Sequence, residues 1–454
     1  MRLLNLHSLQ FEEFYGEYDT PPYAILSHRW TKHEVSYHDF VNGCNESSDG
    51  YRKILDFCAF ARSRATRVWN QERQSFEHVA LQWGWLDTIC IDKTSSQEVS
   101  ESINSMFAWY EKAAVCYAFL GDVPALDEGF DVVAEAFVGS EWFERGWTLQ
   151  ELLAPPDVIF CNQAWQVLGH KCTHVEEKCP VVLYELAHQS LHFHKEPQLA
   201  CTGEDHKYIY GPSLNAEISE RSRIDPCYLE EKPHAFQASV ACRLSWAARR
   251  RTTRVEDRAY CMLGILQVNM PLLYGEGSGA FGRLQEELIR RSSDQSIFGW
   301  KYNGLRPNKS STALAFDPSQ FAESSNIIAT GQPPDAPYAL TNIGLEIRAR
   351  TRKVWDSGLN NYVFVIKLNC GHYRAEDGER TSGSTKNGRE KDFVPAVMAI
   401  TSMGSSSPVS YERVHCSPET FEKKGEEVAE RLFYIRPSAF GGAGRRFRKE
   451  FQAT

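Results

Sequence analysis

Apolar positions along the first third of the chain switch between two periods. Pro22-Tyr-Ala-Ile-Leu-Ser-His28 is a short apolar run closing on polar residues, which predicts a strand. Ile54, Leu55, Cys58, Ala61 and Ala65 then recur at helical spacing across 51–66. Trp83-Gly-Trp-Leu-Asp-Thr-Ile-Cys-Ile91 is apolar on both faces, the pattern of a strand inside a covered sheet. Ser95-Ser-Gln-Glu98 forms a capping box, and behind it Ile103, Met106, Phe107, Tyr110 and Ala114 keep one helical stripe. Val115–Leu120 reads as another buried strand, followed by helices at 129–138 and 140–153. Pro155-Pro156 stops the second helix, and Asp157–Cys161 is a further strand.

Strand and helix alternating in this way predict an α/β fold: a parallel sheet with right-handed crossovers and helices on both faces. Ligands of such sheets sit at the carboxyl ends of strands, where the strand order reverses. The pattern predicts four regions. Residues 1–165 form the α/β unit, and 166–235 are a Cys/His-rich, partly irregular insertion. Residues 236–300 are a helical segment packing on the first unit. Residues 301–454 are a small β-rich domain, with strands at Tyr338–Arg348, Tyr362–Leu368 and Val394–Ile400 and a charged Gly/Ser-rich loop at 374–391.

Composition narrows the function classes. Of 454 residues, 42% are hydrophobic, enough for a large core, and 50 Lys+Arg against 59 Asp+Glu leave a formal charge of −9. An acidic chain argues against sequence-independent nucleic-acid binding, which runs on phosphate neutralisation. No apolar run reaches the ~18 residues of a membrane span. Thirteen cysteines, an odd number without a C-x-x-C pair, read as buried thiols of a reducing compartment. The N-terminal apolar stretch breaks too early for a signal peptide, so a cytoplasmic location is expected.

Candidate chemistry gathers at a few places. Trp147 and Glu151 are i, i+4 on the 140–153 helix, so indole and carboxylate share a face; the same spacing also suits an exposed Glu beside a core Trp. Ser27, His28, Arg29 and Trp30 follow the first strand and would face its ligand crevice, Arg29 suited to a phosphate and Trp30 to stacking on a base, or they form an ordinary surface turn. Asp87, inside an apolar strand, needs a partner and could orient Arg29 or His28, while Asp92 closes that strand at the crevice and Lys93 is solvated. Cys172, His174 and Cys179 with a later histidine would allow zinc, but the first half of a finger is missing and no metal is expected. Gly275–Gly282 lacks the Lys-Ser/Thr of a phosphate loop.

These motifs resemble the fungal heterokaryon-incompatibility (HET) domain family: Tyr23-Ala-Ile-Leu-Ser-His-Arg-Trp30, Trp85-Leu-Asp-Thr-Ile-Cys-Ile-Asp92, Ser100–Phe107 with Tyr110, and Arg145-Gly-Trp-Thr-Leu-Gln-Glu-Leu152. Arg243–Ala247, Thr252–Asp257 and Met270–Gly277 look like the helical segment that follows such domains, and Thr341–Leu345 like the start of their β-rich tail. The 171–235 stretch departs from the pattern. The resemblance implies non-self recognition and programmed cell death, with a second copy of the chain and an allelic or non-self trigger protein as partners. HET domains are distantly similar to Toll/interleukin receptor (TIR) domains, so a TIR/flavodoxin-like sheet is implied. Trp147–Leu152 is similar to the TIR stretch whose Glu cleaves NAD, with Thr148 in place of its Cys. On that match Glu151 is catalytic, NAD or a related nucleotide is substrate rather than cofactor, and Glu151 shares one cavity mouth with Arg29. The alternative is a non-enzymatic assembly module that signals by oligomerising.

Overall fold

The structure, a computed structural model, describes residues 1–16, 19–70, 73, 75–171, 211–230, 232–301, 310–330, 337–357, 359–373, 393–402, 410–414 and 426–435. Two compact units divide the chain: residues 1–236 with 250–252, and residues 237–249 with 253–454. The residues between 237 and 300, apart from 250–252, group with the second unit.

In chain order the first unit runs β1 (Arg2–Asn5), β2 (Phe11–Glu13), β3 (Tyr23–His28), α1 (Tyr37–Val41), α2 (Asp49–Arg62), β4 (Ala65–Asn70), β5 (Ser75–Ala80), β6 (Trp83–Trp85) and α3 (Ser96–Lys112). It continues with β7 (Val115–Phe119), α4 (Phe130–Gly139), α5 (Thr148–Leu153), β8 (Val158–Cys161), β9 (Val167–Lys171), α6 (Asn215–Ser222), α7 (Pro226–Glu230) and α8 (Lys232–Gln237). Seven strands form one sheet in the order β2-β1-β6-β3-β7-β8-β9, and β4 pairs with β5 as a separate hairpin.

The central four strands are parallel, while β1 and β9 join the two sides antiparallel. The sheet is therefore mixed where a parallel one was expected, because the added strands at its rims carry no pattern that separates them from loops. Taken in chain order, β6-β3-β7-β8 is the 2-1-3-4 order of a doubly wound sheet. The chain steps from β3 outward to β6, then back across to β7. Two right-handed crossovers in opposite directions must place their helices on opposite faces, and the ring contacts agree. Phe57 and Phe60 of α2 pack on Tyr117, whereas Tyr110 of α3 packs on Trp85. Tyr117 is in register with Leu26 and Trp85 with Ile25, successive residues of β3 that point to opposite faces. Gly84 lets α2 approach: a Cβ there would stand 2.7 Å from Leu6 Cδ2 and 2.9 Å from Phe57 Cε1.

Local departures from the pattern have physical causes. The run Trp83–Ile91 is a strand only to Trp85, and Leu86–Cys90 curls into a turn closed by Cys90 N–H to Leu86 O at 2.8 Å. A segment apolar on every side carries no period, so strand and buried turn look alike. Ser95 does cap α3 by accepting from Glu98 N–H, but the Glu98 carboxylate turns to Asp92 N–H and Arg2 instead of closing the box. The 140–153 helix is broken into a 3-10 turn (Glu141–Glu144) and α5, since Gly146 N–H is taken by Arg251 O at 2.8 Å.

The second unit holds α9 (Val240–Ser245), α10 (Asp257–Tyr260), α11 (Gly279–Arg291), β10 (Ser310–Ser311), β11 (Ile328–Ala329), β12 (Tyr338–Thr341), β13 (Gly344–Asp356), β14 (Asn361–Tyr373), β15 (Phe393–Ser402), β16 (Ser410–Val414) and β17 (Glu426–Ile435). Pairing runs β13-β14-β15-β16-β17 and returns to β13, a closed ring around Val354, Val363, Val365 and Ala399. All but the β16–β17 pair is antiparallel. The loop expected at 374–391 and the cluster Cys172, His174, Cys179, His188, His192, His194, Cys201 and His206 lie outside the described residues. Among the described residues, seven of the nine thiols are buried, and no helix is long and apolar enough to cross a membrane.

Candidate functional site

The strand order reverses between β3 and β7, and sheets of this kind hold their ligands at the carboxyl ends of such strands. Every residue of β3 is buried, and its last two, Ser27 and His28, point to opposite faces. On the Ser27 side, the Trp142 indole N–H donates to Ser27 Oγ at 2.9 Å, and Ser27 Oγ donates to Glu151 Oε2 at 2.5 Å. Tyr110 OH donates to Leu26 O at 3.0 Å beside them. All six residues of α5 are buried, and Glu151 is only 7% exposed. Burial, with the negative charge of Asp87, pushes the Glu151 carboxyl up to about 7. The Ser27 hydroxyl, the Arg145 cation and Tyr110 hold it back from rising further.

Trp30, in the loop that follows β3, is an indole flanked by charge. Trp30 Nε1–H donates to Asp87 Oδ2 at 2.8 Å, which fixes the ring. Lys93 Nζ lies 3.4 Å from the Trp30 ring centroid and Arg145 Cζ 5.4 Å from it. The Arg145 backbone is held in turn: its carbonyl accepts from Arg250 Nη1 at 2.9 Å, and the same nitrogen donates to Thr148 Oγ1 at 2.9 Å. On the opposite face, His28 is buried with neither ring nitrogen hydrogen-bonded, its Nε2 3.7 Å from Glu34 Oε2. Glu34 Oε1 accepts from Lys53 Nζ at 2.6 Å and from Thr31 N–H at 2.8 Å. Burial and the Lys53 cation lower the His28 pKa, which keeps the imidazole neutral at pH 7.

The residues singled out in the sequence thus fall into three groups. Ser27 and Glu151 meet directly, and Trp30 and Asp87 bond to each other. His28 belongs to the Lys53–Glu34 side. Arg29, Asp92 and Trp147 stand apart from the Ser27–Glu151 bond. The exposed Arg29 guanidinium turns to Glu141, and the cation in the field of Glu151 is Arg145. Asp92 bonds His38 Nε2 at 3.1 Å and Thr94 at 2.6 Å, and the Thr94 bonds lower its pKa. Trp147 is half-buried at the start of α5, and the indole that reaches Ser27 is Trp142.

Sequence reasoning missed Trp142, Arg145, Lys93 and Tyr110. Arg145 and Trp142 sit within the stretch already marked by Trp147 and Glu151, so proximity was their signal. Tyr110 hid in the apolar stripe of α3. Among the described residues, no group of three His, Cys, Asp or Glu side chains could hold a metal ion.

Residues 23–136 match the family described as heterokaryon incompatibility protein (HET). The chain carries a HET domain. The match spans β3 to α4 and so includes Ser27, Trp30 and Asp87; Trp147 and Glu151 lie beyond its end. Vegetative incompatibility protein HET-E-1 of Podospora anserina is 36% identical over 274 residues, which is 59% of this HET-domain chain but 16% of that protein's length. Residues 279–333 match a domain of unknown function, DUF8212. No solved structure matches the chain significantly.

Proposed function

We propose that this chain is a heterokaryon-incompatibility effector of fungal non-self recognition, and that its first unit triggers cell death by hydrolysing the nicotinamide–ribose bond of NAD. The HET match and the name of the Podospora anserina relative support the biological role. One observation carries the chemistry: a buried carboxylate, Glu151, is oriented by Ser27 at the carboxyl end of β3, where the strand order reverses. That placement supports reading Glu151 as the acid of a TIR-like nucleotide hydrolase.

The reaction takes NAD and water to nicotinamide, ADP-ribose and a proton. The C1′–N bond breaks with its electron pair leaving on the nicotinamide nitrogen, which departs neutral and needs no acid. Positive charge builds on the ribose, and an ionised Glu151 stabilises that oxocarbenium-like state in a low-dielectric site. Water then adds to C1′ and its proton passes to Glu151 or to solvent. A carboxyl whose pKa is near 7 is half ionised at neutral pH, and the pyridinium charge of bound NAD shifts it further toward the anion.

The test is release of free nicotinamide by the purified full chain at high protein concentration, where a homo-oligomer would assemble. Wild type should release it and Glu151→Gln should not. One observation favours a second reading, an assembly module without catalysis: at 7% exposure Glu151 also fits a structural hydrogen-bond partner of Ser27. Cell death would then persist in a Glu151→Ala strain and depend on the oligomer and its allelic trigger in the cytoplasm.

A further inference from the structure

Lys93 and Arg145 are two cations held against one indole, with neither making an ion pair among the described residues. Lys93 Nζ is 3.4 Å and Arg145 Cζ 5.4 Å from the centroid of Trp30. Like charges converging on one ring repel, which opposes the attraction of each for the ring quadrupole. The nearby carboxylates have other engagements: Asp87 accepts the Trp30 N–H, Glu151 accepts from Ser27, and Glu34 is paired with Lys53. Arg29, the cation that sequence order puts at the first-strand loop, is taken up by Glu141 at the surface.

The arrangement is anchored where it matters. The indole is pinned by Asp87, which the turn after β6 delivers, and the Arg145 backbone is clamped by Arg250 and by the bond from Gly146 to Arg251. A guanidinium offers a planar fork and an ammonium a mobile point charge, a combination that suits neighbouring phosphate groups. The ring they occupy is then a platform for cations and not a surface for a base to stack on.

We propose that Lys93 and Arg145, mounted on Trp30, form the subsite for the diphosphate of a dinucleotide. This deepens the proposed hydrolase reading and rests on it for the identity of the ligand. The diphosphate bridges the two cations, while the ribose on its nicotinamide side reaches toward Glu151.

The experiment titrates the full chain with inorganic pyrophosphate and with NAD by calorimetry, using Lys93→Met, Arg145→Met, Arg145→Lys and Arg29→Met variants of unchanged melting temperature. Lys93→Met should weaken both probes about tenfold or more, the loss of roughly one charge-assisted contact. Arg145→Met should do the same with partial rescue in Arg145→Lys, and Arg29→Met should bind within twofold of wild type. Wild type that ignores pyrophosphate, or a Lys93→Met chain that binds NAD as wild type does, overturns the subsite. Because inorganic pyrophosphate has no nicotinamide bond to break, its binding is read without turnover, and tight pyrophosphate binding with no nicotinamide release sinks the hydrolase alone. Nicotinamide release with unaltered binding in Lys93→Met sinks the subsite alone.

Discussion

Replacing Glu151 by Gln is expected to stabilise the protein in alkaline buffer while removing its proposed activity. The carboxyl titrates near its ordinary 4.5 in the unfolded chain and at about 7 in the fold, where burial and Asp87 disfavour the anion. Between those two values the native state keeps a proton that the unfolded chain has lost. Stability therefore falls as pH climbs through that window, and the loss is complete above about 7. At ~1.4 kcal/mol per tenfold change, the full cost is about 3 kcal/mol. Gln carries no charge and keeps an acceptor for Ser27 Oγ, so most of that cost disappears. For a unit of this size the gain is roughly 6 to 12 °C in Tm at pH 8 and under about 3 °C at pH 5. Differential scanning calorimetry of wild type and Glu151→Gln at the two pH values reads it directly. A variant that is destabilised equally at both would refute the reasoning, because Glu151 would then be an ordinary neutral hydrogen-bond partner.

Three further substitutions probe the supports of the site. Trp142→Phe removes the 2.9 Å donor to Ser27 Oγ but keeps a ring against Phe143 and Phe160, so urea unfolding should show a loss of about 1–2 kcal/mol. Gly84→Ala forces a Cβ against Leu6 and Phe57 and should cost about 1–3 kcal/mol; an unchanged melting temperature would mean that α2 can retreat freely. Arg250→Ala strips the Arg145 carbonyl and Thr148 of a shared donor, and faster hydrogen exchange at Gly146 and Thr148 is expected. Exchange rates identical to wild type would show that the 250–252 segment does not hold this turn.

Much of the fold could be read from the chain because its period changes cleanly. Tyr23–His28 and Val115–Phe119 are short apolar runs, and α2 and α3 keep their stripes, so the alternation that defines the doubly wound sheet is written locally. The rim strands were not, since β1 and β9 are short and half their character comes from the neighbour they pair with. The hairpin β4–β5 was missed for the same reason. The site divides likewise. Ser27 and Glu151 were marked by their place in motifs, but no spacing rule joins residues 124 positions apart, and only the sheet brings them to 2.5 Å. Arg29 against Arg145 is the instructive pair: both stand in motifs, yet Glu141 captures the first at the surface while Arg250 clamps the backbone of the second.

The most direct measurement of the central claim is the pH dependence of kcat/KM for nicotinamide release from NAD by the full chain. If an ionised, buried Glu151 does the work, the rate should rise tenfold per pH unit below about 7 and level off above it, following the free-enzyme carboxyl. A profile flat from pH 5 to 9, or one that Glu151→Gln reproduces, would contradict it.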